Sequence, residues 1–242
     1  MAKVILIANQ KGGVGKSTIA TTLGSGLKRL GYSVLMLDAD TQQSLSKWRA
    51  SAEGLSHEQD IPWVERWDSP LIAEKIAKER DRYDFIIIDS ASNLGQKGDA
   101  TQKIILGAIK SADLILTPVG PSPFDVDGSE DFIALLRDIW ERFGEQKPPV
   151  HFLINGVQPG TTLGREVGEY VSGTYQLPVL NTKLQLRQAY RQCVFDGSSI
   201  FHVGDAQTRA NASAFVDEVL ELSGLKQPKP AKAPRKKKVE SK

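Results

Sequence analysis

Two lysines bracket a run of glycines near the start of the 242-residue chain, in the stretch Lys11-Gly12-Gly13-Val14-Gly15-Lys16-Ser17-Thr18. Glycine lets a backbone curl until successive amides converge on one anion, and a helix that starts where the curl ends adds its positive pole. The chemistry this pattern predicts is nucleotide phosphate binding. Loop amides surround the phosphate oxygens, Lys16 meets the β- and γ-phosphates, Ser17 ligates Mg2+, and Thr18 gives a hydroxyl to an inner phosphate. Carboxylates stand ready to complete the site. Phe85-Ile86-Ile87-Ile88-Asp89 is an apolar strand whose terminal Asp89 emerges to hold Mg2+ through water, and Asp38-Ala39-Asp40 closes another apolar run. A glycine turn with an incidental lysine, or a strand ending in a loop-starting aspartate, would each be weak alone; their order along one chain is what makes them a site.

These residues need a scaffold, and the hydrophobic pattern supplies one. Apolar runs of strand length fall at Val4 to Ala8, Val34 to Asp38, Phe85 to Asp89, Leu114 to Val119 and His151 to Ile154, with a weaker one at Leu177 to Leu180. Most are continuous, as in strands covered on both faces. Helical spacing lies between them: Ser17 to Leu30 stopped by Gly31, a stretch to Arg82 opened by Ser69 as cap with Pro70 behind it, and Asp99 to Lys110. Further helices are expected from Ser129 to Phe143 stopped by Gly144, from Arg187 to Asp196 stopped by Gly197, and over Asn211 to Ser223. Strand and helix in alternation predict an α/β fold: a single, doubly wound domain with a mainly parallel sheet and right-handed crossovers.

Composition restricts the setting. With 40% hydrophobic and 25% charged residues and no apolar run near the roughly 18 needed to span a bilayer, a soluble cytoplasmic protein is expected. The start, Met1 to Ala8, runs straight into the glycine loop and reads as a first strand and not as a signal peptide. The single cysteine, Cys193, excludes an internal disulfide and any cysteine-only metal site within one chain, and reads as a small core hydrophobe. The net charge of +2 conceals an asymmetry: residues 226–242 carry eight basic side chains and one acid, hence +7, which leaves −5 on residues 1–225. Interleaved with Pro228, Pro230 and Pro234, that stretch reads as a disordered basic tail after a nucleotide-binding domain of residues 1–225.

The general Walker A motif has glycine where this chain has Gln10, and here Lys11 stands at the front of the loop. This variant resembles the deviant Walker A ATPases, which include the ParA and MinD proteins and the nitrogenase iron protein. Asp38-Ala39-Asp40-Thr41-Gln42-Gln43-Ser44-Leu45-Ser46-Lys47-Trp48, Pro118-Val119-Gly120-Pro121-Ser122-Pro123-Phe124-Asp125, and Arg187-Gln188-Ala189-Tyr190 with Phe195 to Phe201 carry the likeness furthest, toward small ParF-like ParA proteins. The resemblance implies ATP and Mg2+ as ligands, slow hydrolysis to ADP and phosphate, and a homodimer assembled on ATP, with Lys11 reaching the partner's nucleotide. It assigns Asp40 to the attacking water, Asp38 to the region of the metal, and Asn155 to the adenine, a plain turn residue being the alternative for Asn155. The proline-rich segment would lie at the dimer surface, a role compatible with a rigid strand-to-helix turn.

The chain departs from that family at Thr41, where proline is usual, and at Ser90-Ala91-Ser92, where Thr-Pro-Pro or Ser-Pro-Ala is common; both departures bear on turnover. It begins at its first strand without a helix-turn-helix, so autorepression is not expected, and DNA contact should be independent of sequence. The candidates for that contact are Lys183, Arg187 and Arg191, four apart and on one face of any helix, and Arg235, Lys236, Lys237 and Lys238 of the tail. A solvated face and a solubilising arm are the plain alternatives. The function implied is nucleoid-associated partition of a plasmid through a ParB-like centromere-binding protein, or of a protein cargo such as a chemoreceptor cluster or carboxysome. A MinD-like membrane role would need an apolar helix face that the tail, with Val239 alone, does not offer. An iron-protein role would need two cysteines.

Overall fold

Seven parallel strands form one sheet in the order β3-β2-β4-β1-β5-β6-β7. The computed structural model describes residues 1–144 and 147–225, excepting the side chain of Phe143. Along the chain the elements are β1 (Lys3–Ile7), α1 (Lys16–Arg29), β2 (Val34–Ala39), α2 (Ser44–Ser51), β3 (Trp63–Arg66), α3 (Ile72–Glu79), β4 (Phe85–Ser90), α4 (Ala100–Ser111) and β5 (Leu114–Val119). There follow α5 (Pro123–Asp127), α6 (Glu130–Phe143), β6 (Val150–Val157), α7 (Leu163–Tyr175), β7 (Leu184–Gln185), α8 (Gln188–Phe195), α9 (Ile200–Val203) and α10 (Ala206–Leu222).

The continuous apolar strands are covered on both sides, as expected. Val4 and Leu6 of β1 share one core with Ile86, Ile88 and the helices α3, α4, α6 and α7, while Ile5 and Ile7 face a second with α1, α2 and α10. Parallel strands with helices on each face place every strand's carboxyl end along one edge, where ligands bind in such sheets. The three stopping glycines, Gly31, Gly144 and Gly197, all have positive φ, which releases the chain from the helix without a Cβ clash.

Several expectations need correction. Ser69 does not cap α3; its Oγ accepts from Leu71 N–H at 3.3 Å and the helix opens at Ile72, because Ser69 and Pro70 form the preceding turn. The last helix starts five residues before Asn211, at Ala206, where the Asp205 carboxylate accepts the Thr208 N–H at 2.7 Å. Leu177 to Leu180 lies beside β6, with Val179 bridging Phe152, but the edge strand is Leu184–Gln185; Pro178 has no N–H to extend a ladder. Cys193 is buried in α8, its thiol pushed up to about 12 by burial, and it donates to Tyr190 C=O at 3.2 Å. Among the described residues no helix is long and apolar enough to cross a membrane.

Candidate functional site

The glycine loop joins β1 to α1, so its geometry begins with how both ends are pinned. Asn9 is buried at the exit of β1. Its Nδ2 donates to Pro118 C=O and Ser129 Oγ, both at 2.8 Å, and its Oδ1 accepts the Lys11 N–H at 3.1 Å. One amide thus ties the front of the loop to the end of β5 and the start of α6. Gln10 Nε2 adds a contact to Asp131 Oδ2 at 3.1 Å. Gly13 and Gly15 hold φ of 79° and 92°, values open to glycine and strained for other residues. Gly15 caps α1 without a side chain, leaving the first amides of the helix uncapped by any side chain and turned toward the loop.

Lys16 opens α1 and is only 6% exposed. Its Nζ donates to Ser92 Oγ at 2.7 Å and to Lys11 C=O at 3.2 Å. Burial lowers its pKa, while the charges of Asp89 and then Asp40 draw it back up. Asp89, the last residue but one of β4, stands in register with Ile7 of β1 on one side and Asp38 of β2 on the other. It is fully buried, and neither carboxylate oxygen has a hydrogen-bond partner. Burial chiefly pushes its pKa up to about 7. The nearby Ser17 hydroxyl, close but outside hydrogen-bond geometry, and Lys16 pull it down; Asp38 and Asp40 push it up.

Asp38 is differently placed. Its Oδ2 accepts both the N–H and the hydroxyl of Ser46 at 2.8 Å, which fixes the first turn of α2 beside the phosphate loop. Asp40 lies just beyond β2, half-buried, with Oδ1 accepting Gln42 N–H at 2.9 Å. Two unpartnered carboxylate oxygens beside a serine hydroxyl make a hard, oxygen-only donor set that suits Mg2+, the remaining ligands coming from phosphate and water. The residues therefore fit the ion: Ser17 and Asp89 would hold it, with Asp38 adjoining.

A cleft of about 330 Å³ continues from Gly12 to Gly15 and Thr18, past Gly120 and Pro121, to Asn155, Gln185, Arg187, Tyr190 and Arg191, within the size range of small-molecule sites. Asn155 lines it, donating from Nδ2 to Val14 C=O at 2.8 Å. The basic trio does not share a helix face. Lys183 precedes β7, Arg187 is the N-cap of α8, and only Arg191 lies within that helix; the chain turns at Gln185–Arg187 and breaks the four-residue period. Arg187 Nη2 donates to Gln185 Oε1 at 2.8 Å and Gln207 Oε1 at 3.1 Å, while its Nε is buried without a partner. Arg187 and Arg191 thus wall the cleft, and Lys183 stands outside it. Arg235, Lys236, Lys237 and Lys238 lie outside the described residues.

The sequence reading missed Asn9, Ser46, Ser92 and Gln185 as site-builders. A buried-strand asparagine just ahead of a glycine loop was a usable signal for Asn9. The others act through contacts that no local spacing encodes.

A model of the CobQ/CobB/MinD/ParA nucleotide binding domain matches residues 5–200. The chain is 28% identical over 221 residues to the maintenance of carboxysome distribution protein A of Halothiobacillus neapolitanus, spanning 91% of this chain and 94% of that one. It is 26% identical over 218 residues to the sporulation initiation inhibitor protein Soj of Bacillus subtilis, spanning 75% and 83%. Among solved structures, cobyrinic acid a,c-diamide synthase of Mycobacterium smegmatis, bound to an ATP analog and magnesium, superposes with a TM-score of 0.74 at 20% identity, over 94% of this chain and 98% of that one. The chain therefore belongs to the CobQ/CobB/MinD/ParA nucleotide-binding domain family and has the P-loop fold of the ParA and MinD ATPases.

Proposed function

We propose that the chain is an ATP-switched positioning protein: it dimerises around ATP and Mg2+, holds non-specific DNA in that state, and lets go when a partner protein speeds hydrolysis. The observation that carries this reading is Lys11. Its backbone supports the phosphate loop, yet among the described residues its ammonium makes no ion pair or hydrogen bond, and its stem lies over Gly128, where a Cβ would come within 2.9 Å of Lys11 Cδ. A cation held at the mouth of a phosphate site without a counter-charge among the described residues of its own subunit suits the phosphates of a second one.

In this reading the loop amides, Lys16 and Thr18 bind the phosphates, and Asn155 lies toward the base. Bound Mg2+ would offset phosphate charge and orient the γ-phosphoryl group. Asp40, the most solvent-facing of the three carboxylates, orients the attacking water. Release of phosphate then removes what holds two subunits together, so hydrolysis times the dimer's lifetime. Lys183, Arg187, Arg191, Arg235, Lys236, Lys237 and Lys238 are the proposed DNA contacts; the proposed setting is a nucleoid-associated cytoplasmic protein.

The proposed cargo is a plasmid, engaged through a ParB-like centromere-binding partner. A second reading, a protein assembly as cargo, is favoured by the near full-length similarity to a carboxysome distribution protein. DNA binding measured with ATP, with ADP and without nucleotide tests the mechanism common to both. Binding is expected with ATP alone, and equal binding in all three states would refute it. Deleting residues 226–242 should lower affinity and flatten its salt dependence.

A further inference from the structure

The helix α8 buries Tyr190 and Cys193 and turns Gln188, Arg191, Gln192 and Phe195 outward. Phe195 is 83% exposed, and Leu186, just ahead of the helix, is 51% exposed. Single apolar side chains on a surface are ordinary, but these two line one groove of about 520 Å³ together with Arg187, Arg191 and the two glutamines. Among the described residues no carboxylate lines it. Asp196, which follows Phe195, is engaged by Gln192 Nε2 at 2.7 Å, and Asp205 feels the Arg187 charge from outside the groove. Arg187 itself donates to the neutral side chains of Gln185 and Gln207. Residues 1–225 carry −5 in all, so the groove is a local reversal of sign with a bare aromatic ring in it.

We infer that this face is a stacking contact for nucleic acid: Arg191 and Arg187 meet phosphates while a base packs on the Phe195 ring beside Leu186, so that unpaired or easily unstacked bases are favoured over uniform duplex. The inference rests on the proposed DNA contact of the two arginines and adds to it a part that salt does not screen. Arg191 and Phe195 are four apart within the helix, about 6 Å of rise and one side of the cylinder. Cation and ring can therefore address neighbouring parts of one strand. A guanidinium pairs with a phosphate through two parallel N–H bonds, and every base offers a π-face to an aromatic ring. In a regular duplex those faces are already stacked, so Phe195 gains only where a step opens, as apolar wedges in the minor groove require.

Phe195 is largely exposed and does not line the nucleotide cleft, so Phe195→Ala should fold and bind nucleotide as before. The test is fluorescence anisotropy of the full chain with Mg2+ and a non-hydrolysable ATP analogue, on one labelled oligonucleotide presented as single strand, as perfect duplex and as duplex with a mismatched centre. The single strand and the mismatched duplex should bind about threefold or more tighter than the perfect duplex. Phe195→Ala should weaken single-strand binding about fivefold or more and leave the slope of log affinity against log salt unchanged, whereas Arg191→Gln should reduce that slope by about one. Phe195→Tyr, which keeps the ring, should restore the affinity. An alanine variant that binds as before, a slope that falls with the ring, or a preference for perfect duplex would overturn the stacking role. Loss of ATP-dependent dimers in Phe195→Ala with DNA binding intact would overturn it too, giving this face to a second copy. Failure of the unaltered chain to bind any of the three DNA forms in any nucleotide state would instead remove the proposed DNA contact, and this inference with it.

Discussion

Asn155 reaches across 141 residues of sequence to donate a 2.8 Å hydrogen bond to Val14 C=O, so the end of β6 holds the crown of the phosphate loop. The same amide packs so closely over Gly15 that a Cβ there would overlap Asn155 Nδ2. Asparagine and glycine therefore form one unit: the donor fixes the loop, and the absent side chain leaves room for the donor.

From this follows a graded pair of variants. Asn155→Ala removes one part-buried hydrogen bond and should weaken nucleotide binding by about tenfold, in line with a net worth near 1 kcal/mol or somewhat more. Gly15→Ala meets both the overlap and a φ of 92°, and should abolish measurable binding. Calorimetric titration with Mg2+ and ADP checks the order; a Gly15→Ala protein that binds normally would show that the loop is free to rearrange.

Asp89 gives a pH prediction of definite sign. Its pKa is raised from 3.8 to about 7 in the folded protein, so between about pH 4 and pH 7 the native state keeps a proton that the unfolded chain has lost. Stability contributed by this group therefore declines as pH rises through that window and is level above it. Asp89→Asn should remove that slope and raise the melting temperature at pH 8, while losing Mg2+-dependent nucleotide binding. A variant that melts lower at pH 8 would mean that the ionised carboxylate is already compensated.

How much of this was readable beforehand depends on the distance over which each contact is made. The loop, Lys16, Ser17 and Asp89 sit in local patterns, a strand end or a helix start, and the backbone follows those patterns. The far wall of the cleft, and Lys183 outside it, do not. Lys183, Arg187 and Arg191 have helical spacing, but the segment runs as a loop, a short strand and a cap, because Asn211 Oδ1 accepts Gln185 N–H at 3.2 Å and Asn211 Nδ2 donates to Lys183 C=O at 3.0 Å. Likewise α7 contains Gly164, Gly168 and Gly173, poor helix formers. Gly164 is there because a Cβ would stand 3.0 Å from both methyls of Val157 on β6, a demand of packing that periodicity does not display.

Trp48 offers a test of how α2 is anchored. Its Nε1 donates to Ser198 C=O at 2.7 Å in a fully buried setting, and Ser46 in the first turn of α2 donates to Asp38. Trp48→Phe keeps most of the apolar area and leaves the Ser198 carbonyl without its donor, at a cost of about 1–3 kcal/mol. Denaturant melts should show that loss with an unchanged slope, and a loss below about 0.5 kcal/mol would mean that water replaces the indole.

Lys11 separates the switch from the site. Its carbonyl and not its ammonium supports Lys16, and its N–H is held by Asn9, so Lys11→Ala leaves the loop's internal bonds in place. Nucleotide affinity of the monomer should stay within about threefold, since no charge-assisted contact within the subunit is removed. Dimers are another matter. Two copies facing each other across their phosphate loops bring two sets of phosphates together, and without a cation from each side that repulsion is unopposed. Sedimentation of Lys11→Ala with Mg2+ and a non-hydrolysable ATP analogue should therefore give monomers where the proposed function expects dimers of the unaltered protein. If the variant dimerises as well as the original, the ammonium at the mouth of the loop serves its own subunit, and ATP joins the two copies by some other contact.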